Sequence, residues 1–269
     1  MKNLLTAKEY LAHHYELPKT FPKMPLADEK FISAWSFKEN VEVLRFLSQK
    51  FELPTENFDW KNVAALKIDF KQTFGGRLPV ISAANHDDFC QMVALLTARE
   101  AKKYPPTVNA FTIPCRAEKI YRHRVILLNA APYSNISAER LLLTAEDWLK
   151  KSYLIRLRHE SAHYETLRLL GGMKNHALDE IVADSLGQIA AFRDFNANRQ
   201  RIFFGLTEGG SKCDGRLNFY CQKVLPDELP KIYRAVDEYL DEVEQITKNA
   251  ANEFEIFKVL ANRAIMNTF

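Results

Sequence analysis

The chain has 269 residues, 47% hydrophobic and 26% charged, the balance of an ordinary globular protein long enough for one large domain or two lobes. A net charge of +3 and a pI near 8.5, with Lys and Arg interleaved among Asp and Glu, argue against a nucleic-acid partner, which calls for a clustered basic face. The opening residues 1–9 are too poor in apolar side chains for a secretory signal, and no apolar run approaches a membrane span; a soluble, cytoplasmic protein without a membrane partner is therefore expected.

Residues 28–51 read as a helix whose broad apolar face is supplied by Phe31, Trp35, Val41, Val43, Leu44 and Leu47. A strand is expected over 63–70, then a hairpin turn at Gly75-Gly76 and a returning strand over 78–81. Asn85 followed by Asp87-Asp88 marks a helix start, and that helix runs on through Cys90, Val93, Leu95, Leu96 and Ala98. Residues 109–113 and 122–129 are the next predicted strands; the second holds the longest apolar run, Val125-Ile126-Leu127-Leu128. Beyond Pro132 the pattern turns helical. Thr144 can cap a helix that reaches about Leu170 and stops at Gly171-Gly172, and Asn175 can cap a second over 176–195. Two more are expected over 227–248 and 252–267. The loop 205–215, with four of the nine glycines, reads as a flexible connector or a mobile lid, and the acidic run from Asp237 to Glu244 as the solvated face of a helix. The sum is an α+β chain. A mixed α/β lobe with a small sheet covers 1–143 and a helical lobe covers 144–269, with a cleft expected between them. The four cysteines, Cys90, Cys115, Cys213 and Cys221, form no CxxC pair and read as reduced, packed thiols.

The chemistry concentrates in His159-Glu160-Ser161-Ala162-His163. On a helix of roughly 3.6 residues per turn, His159 and His163 lie one turn apart and about 40° apart around the axis, so both imidazoles can reach one zinc ion. Glu160 is offset beside the first ligand, where a general base for an activated water belongs. A catalytic zinc site needs a third protein ligand and an open position. Downstream, Glu180 and Asp184 share a face of the next predicted helix, which the Gly171-Gly172 turn brings back against the first. Glu180 can complete a His-His-Glu set, and Asp184 can accept a hydrogen bond from the non-ligating N–H of a metal-bound histidine.

HExxH followed by ExxxD on the next helix resembles the gluzincin group of zinc metallopeptidases, and Glu180-Ile181-Val182-Ala183-Asp184-Ser185-Leu186-Gly187 looks like the ExxAD-type segment of some members. The resemblance covers 159–187. It implies a zincin-like fold with a sheet before the active-site helix, and zinc held by His159, His163 and Glu180. It also implies Glu160 as base and proton shuttle, Asp184 behind the ligands, and a peptide or protein substrate. Arg158 and Ser161 stand where such helices often carry apolar residues, which implies a more solvated helix or an altered site.

Two alternatives to Glu180 as third ligand remain open: His176, at the expected start of the second helix, and Asp184. A third histidine six residues after His163 is excluded, because Leu169 stands there. Tyr220, Tyr233, Arg216 and Arg193 are candidate donors to a developing oxyanion, with His123 of similar standing. His13-His14 and His86 read as solvated or capping residues. The expected activity is zinc-dependent hydrolysis of peptide or amide bonds; the alternative is a non-catalytic zinc-binding interaction or regulatory protein with a zincin-like fold.

Overall fold

A computed structural model describes residues 4–38, 40–100 and 103–266, with only the backbone of Glu208. Two compact units emerge: Pro22–Ala131, and the residues up to Phe21 together with those from Pro132 onwards. The boundary expected from sequence, at 143/144, therefore lies twelve residues beyond the observed one at 131/132, and the N-terminal segment belongs with the helices. That segment carries α1 (Ala7–Leu11), started by a capping box in which Thr6 and Glu9 satisfy each other's backbone N–H groups.

The unit Pro22–Ala131 begins with a 3-10 helix, Lys30–Trp35, followed by α2 (Val43–Phe51). The single helix expected over 28–51 is thus two pieces. Asp28 is tied to Arg77, accepting from its backbone N–H at 2.8 Å and its Nε at 2.7 Å, and Asn40 turns the chain with φ at 59°. The apolar face is buried all the same, because the two pieces fold so that Trp35 meets Phe46 and Phe51. Next come β1 (Lys67–Thr73) and β2 (Gly76–Ala83). Residues 63–65 form a turn rather than strand, since the Asp88 carboxylate collects the N–H groups of Lys61 and Asn62 at 2.6 and 2.9 Å. The hairpin closes at Gly76, whose φ of +100° and 3.2 Å approach of the Ala27 carbonyl to a Cβ position call for glycine.

Asn85 caps α3 (His86–Thr97), accepting from Asp88 N–H at 2.8 Å. The strands β3 (Ala110–Pro114) and β4 (Arg124–Asn129) complete a four-stranded sheet of order β1-β2-β4-β3. β2 and β4 run parallel, joined by a connection through α3 and β3; the other two pairings are antiparallel. Ile81, Val125 and Leu127 share a core with α2 and α3, and Leu78, Val80, Ile126 and Leu128 are buried as well. A small mixed sheet with helices is therefore present.

In the helical unit, α4 (Ala145–Leu170) starts at Thr144, which accepts from Asp147 N–H, and ends at Gly171 with φ +75°. α5 (Ala177–Phe192) is capped by His176, whose Nδ1 accepts from Leu178 N–H at 3.0 Å, in place of the expected Asn175. Every residue from Ala177 to Gln188 is buried, so its carboxylates must find partners inside the protein. Gly187 brings α5 onto α4: a Cβ there would lie 3.0 Å from the Ile155 carbonyl oxygen. Besides α1, two helices here have no counterpart among the expected elements, α6 (Ala197–Phe204) and α7 (Leu217–Tyr220); α8 (Leu229–Asn249) and α9 (Glu253–Asn262) follow. The last ends before the expected limit, and Asn267 lies outside the described residues, as do the first three residues of the opening segment.

The loop 205–215 is not an open connector. Leu206 bridges to Cys213, and a Cβ on Gly205 would fall 2.4 Å from Gly215 Cα. Nor is the acidic run of α8 simply a solvated face. Asp237 is buried and takes Arg201 Nε at 2.8 Å, while Glu244 accepts from Ala197 N–H at the start of α6. None of the four cysteines is in a disulfide. Among the described residues no helix is long and apolar enough to cross a membrane.

Candidate metal centre

Burial makes the polar residues of α4 and α5 meet. His159 and His163 occupy successive turns of α4, and Glu180 stands on the first turn of α5. Ligand-type atoms of these three lie within 4.8 Å of one another. His159 Nε2 is 3.5 Å from Glu180 Oε2, and His163 Nε2 is 3.4 Å from Oε1. Those separations match the edge of a tetrahedron with bonds of about 2.1 Å, roughly 3.4 Å. The two Nε2 atoms are closer, at 2.9 Å. Glu180 Oε2 is buried with no hydrogen-bond partner among the described residues, an orphan of the kind that a cation satisfies.

Asp184, one turn beyond Glu180, organises the rear of the group. Its Oδ1 accepts from His159 Nδ1 at 2.8 Å and from the Tyr133 hydroxyl, and its Oδ2 accepts from Gln200 Nε2 and Arg216 Nη2. A proton on His159 Nδ1 leaves the Nε2 lone pair facing His163 and Glu180. Burial acts to raise the Asp184 carboxyl, but Arg216 and the hydrogen bonds from His159 and Tyr133 outweigh it and hold the group well below the usual carboxylate range. Burial likewise opposes the charge of Glu180, and His159, His163 and Arg216 reverse that and lower it. For His163, burial works against the proton, yet the Glu180 hydrogen bond and charge, with Glu160 beyond, raise it to about 9. Glu160 stands outside the three-residue group, is 7% exposed, and acts electrostatically on both His163 and Arg156.

A family model described as "Family of unknown function (DUF7005)" matches residues 108–266, more than half of the chain. The chain belongs to that family. No curated protein matches it, and no solved structure does. The matched stretch contains the entire His159, His163, Glu180 and Asp184 group, and omits α2, β1, β2 and α3.

The remaining sequence candidates scatter. His176 is outside the first group and belongs to a second one with His13 and Asp179. That second group suits a metal poorly: His176 Nδ1 already accepts from Leu178 N–H and its Nε2 donates to the Tyr10 carbonyl at 2.9 Å, so neither nitrogen has a lone pair to offer. Burial pushes His176 down to about 4, as befits a neutral ring. His13, expected to be solvated, has a side chain only 10% exposed, with Nε2 3.8 Å from Asp179 Oδ2. His14 is exposed, and His86 contacts the Tyr104 carbonyl at 3.0 Å. His123 belongs to the sheet unit, where it accepts from Trp35 Nε1 at 3.1 Å.

Among the four oxyanion-donor candidates, Tyr220 and Arg216 reach the group. Burial and the nearby Glu180 charge push the Tyr220 hydroxyl well up, while Arg216 Nη1 lies 3.8 Å from Glu180 Oε2 and donates to the Tyr133 hydroxyl at 2.9 Å. The Tyr233 hydroxyl donates to Asn218, and Arg193 is the exposed C-cap of α5. Arg158 and Ser161 are both buried, contrary to a solvated helix: Arg158 donates to Glu165 and to Glu253, each at 2.9 Å, and the Ser161 hydroxyl to the Leu157 carbonyl. Sequence reasoning missed Tyr133 and Gln200, since no spacing rule links Tyr133 to α5 and the polar run before Gln200 hid α6.

Proposed function

We propose that the protein is a zinc-dependent hydrolase of peptide or amide bonds. The observation that carries this reading is the convergence of His159 Nε2, His163 Nε2 and Glu180 on one buried point, with Glu180 Oε2 lacking any hydrogen-bond partner among the described residues. His159, His163 and Glu180 are the residues that would hold zinc, and Asp184 fixes the His159 tautomer. Bound there, zinc would supply an acidified water and a Lewis acid for the scissile carbonyl. Glu160 takes the proton of the attacking water and returns it to the leaving amine, and Tyr220, which feels the Glu180 charge, is the donor to the carbonyl oxygen.

One observation favours a second reading, a non-catalytic zinc-binding interaction or regulatory protein: the three donors and Glu160 are each less than a tenth exposed, as in a structural site. Elemental analysis of the purified protein and hydrolysis of a mixed peptide library by wild type and Glu160→Gln separate the two. Hydrolysis predicts about one zinc per chain in both proteins and a loss of turnover in the variant of at least about 10²-fold. Equal function of the two proteins supports the second reading, and absence of tight zinc binding removes both.

A further inference from the structure

The helical unit holds a cavity of about 450 Å³, within the usual range for small-ligand sites, lined among others by Glu9, His13, Lys174, His176, Tyr220 and Lys223. Two features connect it with the candidate metal centre. Tyr220 lines the cavity and is near enough to Glu180 for that carboxylate to push its hydroxyl pKa up, and His176, which also lines it, caps α5 one turn before Glu180. The cavity wall is fixed: the Tyr10 hydroxyl donates to the Tyr220 carbonyl and accepts from Ala177 N–H, and the Tyr10 ring stacks on His176 at 3.9 Å.

Its charges are unequally committed. Glu9, the acidic residue of the lining, has its Oε2 taken up by the backbone N–H and hydroxyl of Thr6, both at 2.8 Å. Lys174 and Lys223 have no carboxylate partner within ion-pair distance among the described residues; Lys174 Nζ instead contacts His13 Nδ1 at 3.1 Å. His13 Nε2 is buried without a hydrogen-bond partner among the described residues. Two lysines against one carboxylate leave the charged lining net positive, which favours an anionic occupant.

We propose that this cavity is a substrate subsite that takes a carboxylate of the peptide, with Lys174 and Lys223 as its recognition groups and Tyr220 as the wall shared with the metal centre. The assignment rests on the hydrolase reading and adds a substrate class to it. Either the C-terminal carboxylate or an acidic side chain offers this chemistry.

Equilibrium binding of three fluorescent tetrapeptides to the zinc-supplemented full chain tests it: one with a free C-terminus, its C-terminal amide, and an amide carrying one Glu. The free acid or the Glu-containing amide binds about tenfold tighter than the plain amide, and the tighter of the two identifies the source. In Lys174→Met/Lys223→Met, checked for wild-type circular dichroism, the ratio falls below about twofold; in Lys150→Met, on the exposed side of α4, it is unchanged. Equal affinities in wild type, no binding of any peptide, or a ratio that survives the double substitution overturns the proposal. Selective binding without turnover instead leaves the subsite standing and removes the hydrolase reading.

Discussion

The Nδ1 of His159 and the Oδ1 of Asp184 are 2.8 Å apart, and both groups are buried. This contact fixes which imidazole nitrogen faces the donor cluster, and it makes Asp184 the joint between His159 and the Arg216–Tyr133–Gln200 network. Asp184→Asn keeps the shape and removes the charge. Zinc affinity, read by competition with a chromophoric chelator, falls about 10- to 100-fold. The variant also leaves Arg216 without its closest anion, so urea unfolding reports a loss of about 3–5 kcal/mol. Unchanged affinity would show that the tautomer is set by some other contact.

Arg158 joins Glu165 and Glu253 at 2.9 Å each, with the Arg158 and Glu165 side chains at most 8% exposed. Arg158→Met removes the buried cation that Glu165 faces. A loss of about 3–5 kcal/mol follows, whereas Glu253→Gln, whose side chain is 39% exposed, costs about 1 kcal/mol or less. Thermal melts of the two variants side by side check the order.

His176 makes stability fall in mild acid. Its folded pKa is pushed down to about 4, against roughly 6.5 in the unfolded chain. Between those values the unfolded state binds the extra proton, so the contribution is complete above about pH 6.5 and is lost as pH drops towards 4, by about 3 kcal/mol in total. His176→Asn keeps an acceptor for Leu178 N–H and removes the titration. Urea midpoints from pH 7 to 4 should decline less steeply in the variant; parallel curves would contradict the assignment.

Gly205→Ala meets two obstacles at once, φ at +74° and a Cβ 2.4 Å from Gly215. The chain must open the 205–215 loop, at a cost of about 2 kcal/mol or more. Gly209→Ala, with nothing within 4 Å but φ at +66°, costs about 1 kcal/mol. Denaturant titrations that rank the pair the other way would locate the strain elsewhere.

The helices of the site were legible because capping and stopping are local. Thr144 and Gly171 bound α4 where their chemistry says they should, and the four-residue spacings of His159 with His163 and Glu180 with Asp184 put both pairs on facing surfaces. Tertiary contacts decided the rest. Asp28 pairs with Arg77, forty-nine positions on, at the start of the helix expected over 28–51, Asn40 turns the chain within it, and Asp88 bends 63–65 out of the strand. The attachment of α1 to the helical unit, through the Tyr10 hydroxyl and the Leu5–Val224 bridge, has no sequence signature at all. The partial burial of His13 depends on that attachment, which is why it reads as solvated from sequence.

The close approach at Gly187 has a consequence for how the centre could be lost. The donor atoms come from two helices, and the gap between them is set by a missing methyl group 3.0 Å from the Ile155 carbonyl. A single extra carbon there would act as a spacer. It would leave His159 and His163 together on α4 and shift Glu180 away with α5, turning a three-donor cluster into a two-donor one without altering any residue that carries the chemistry.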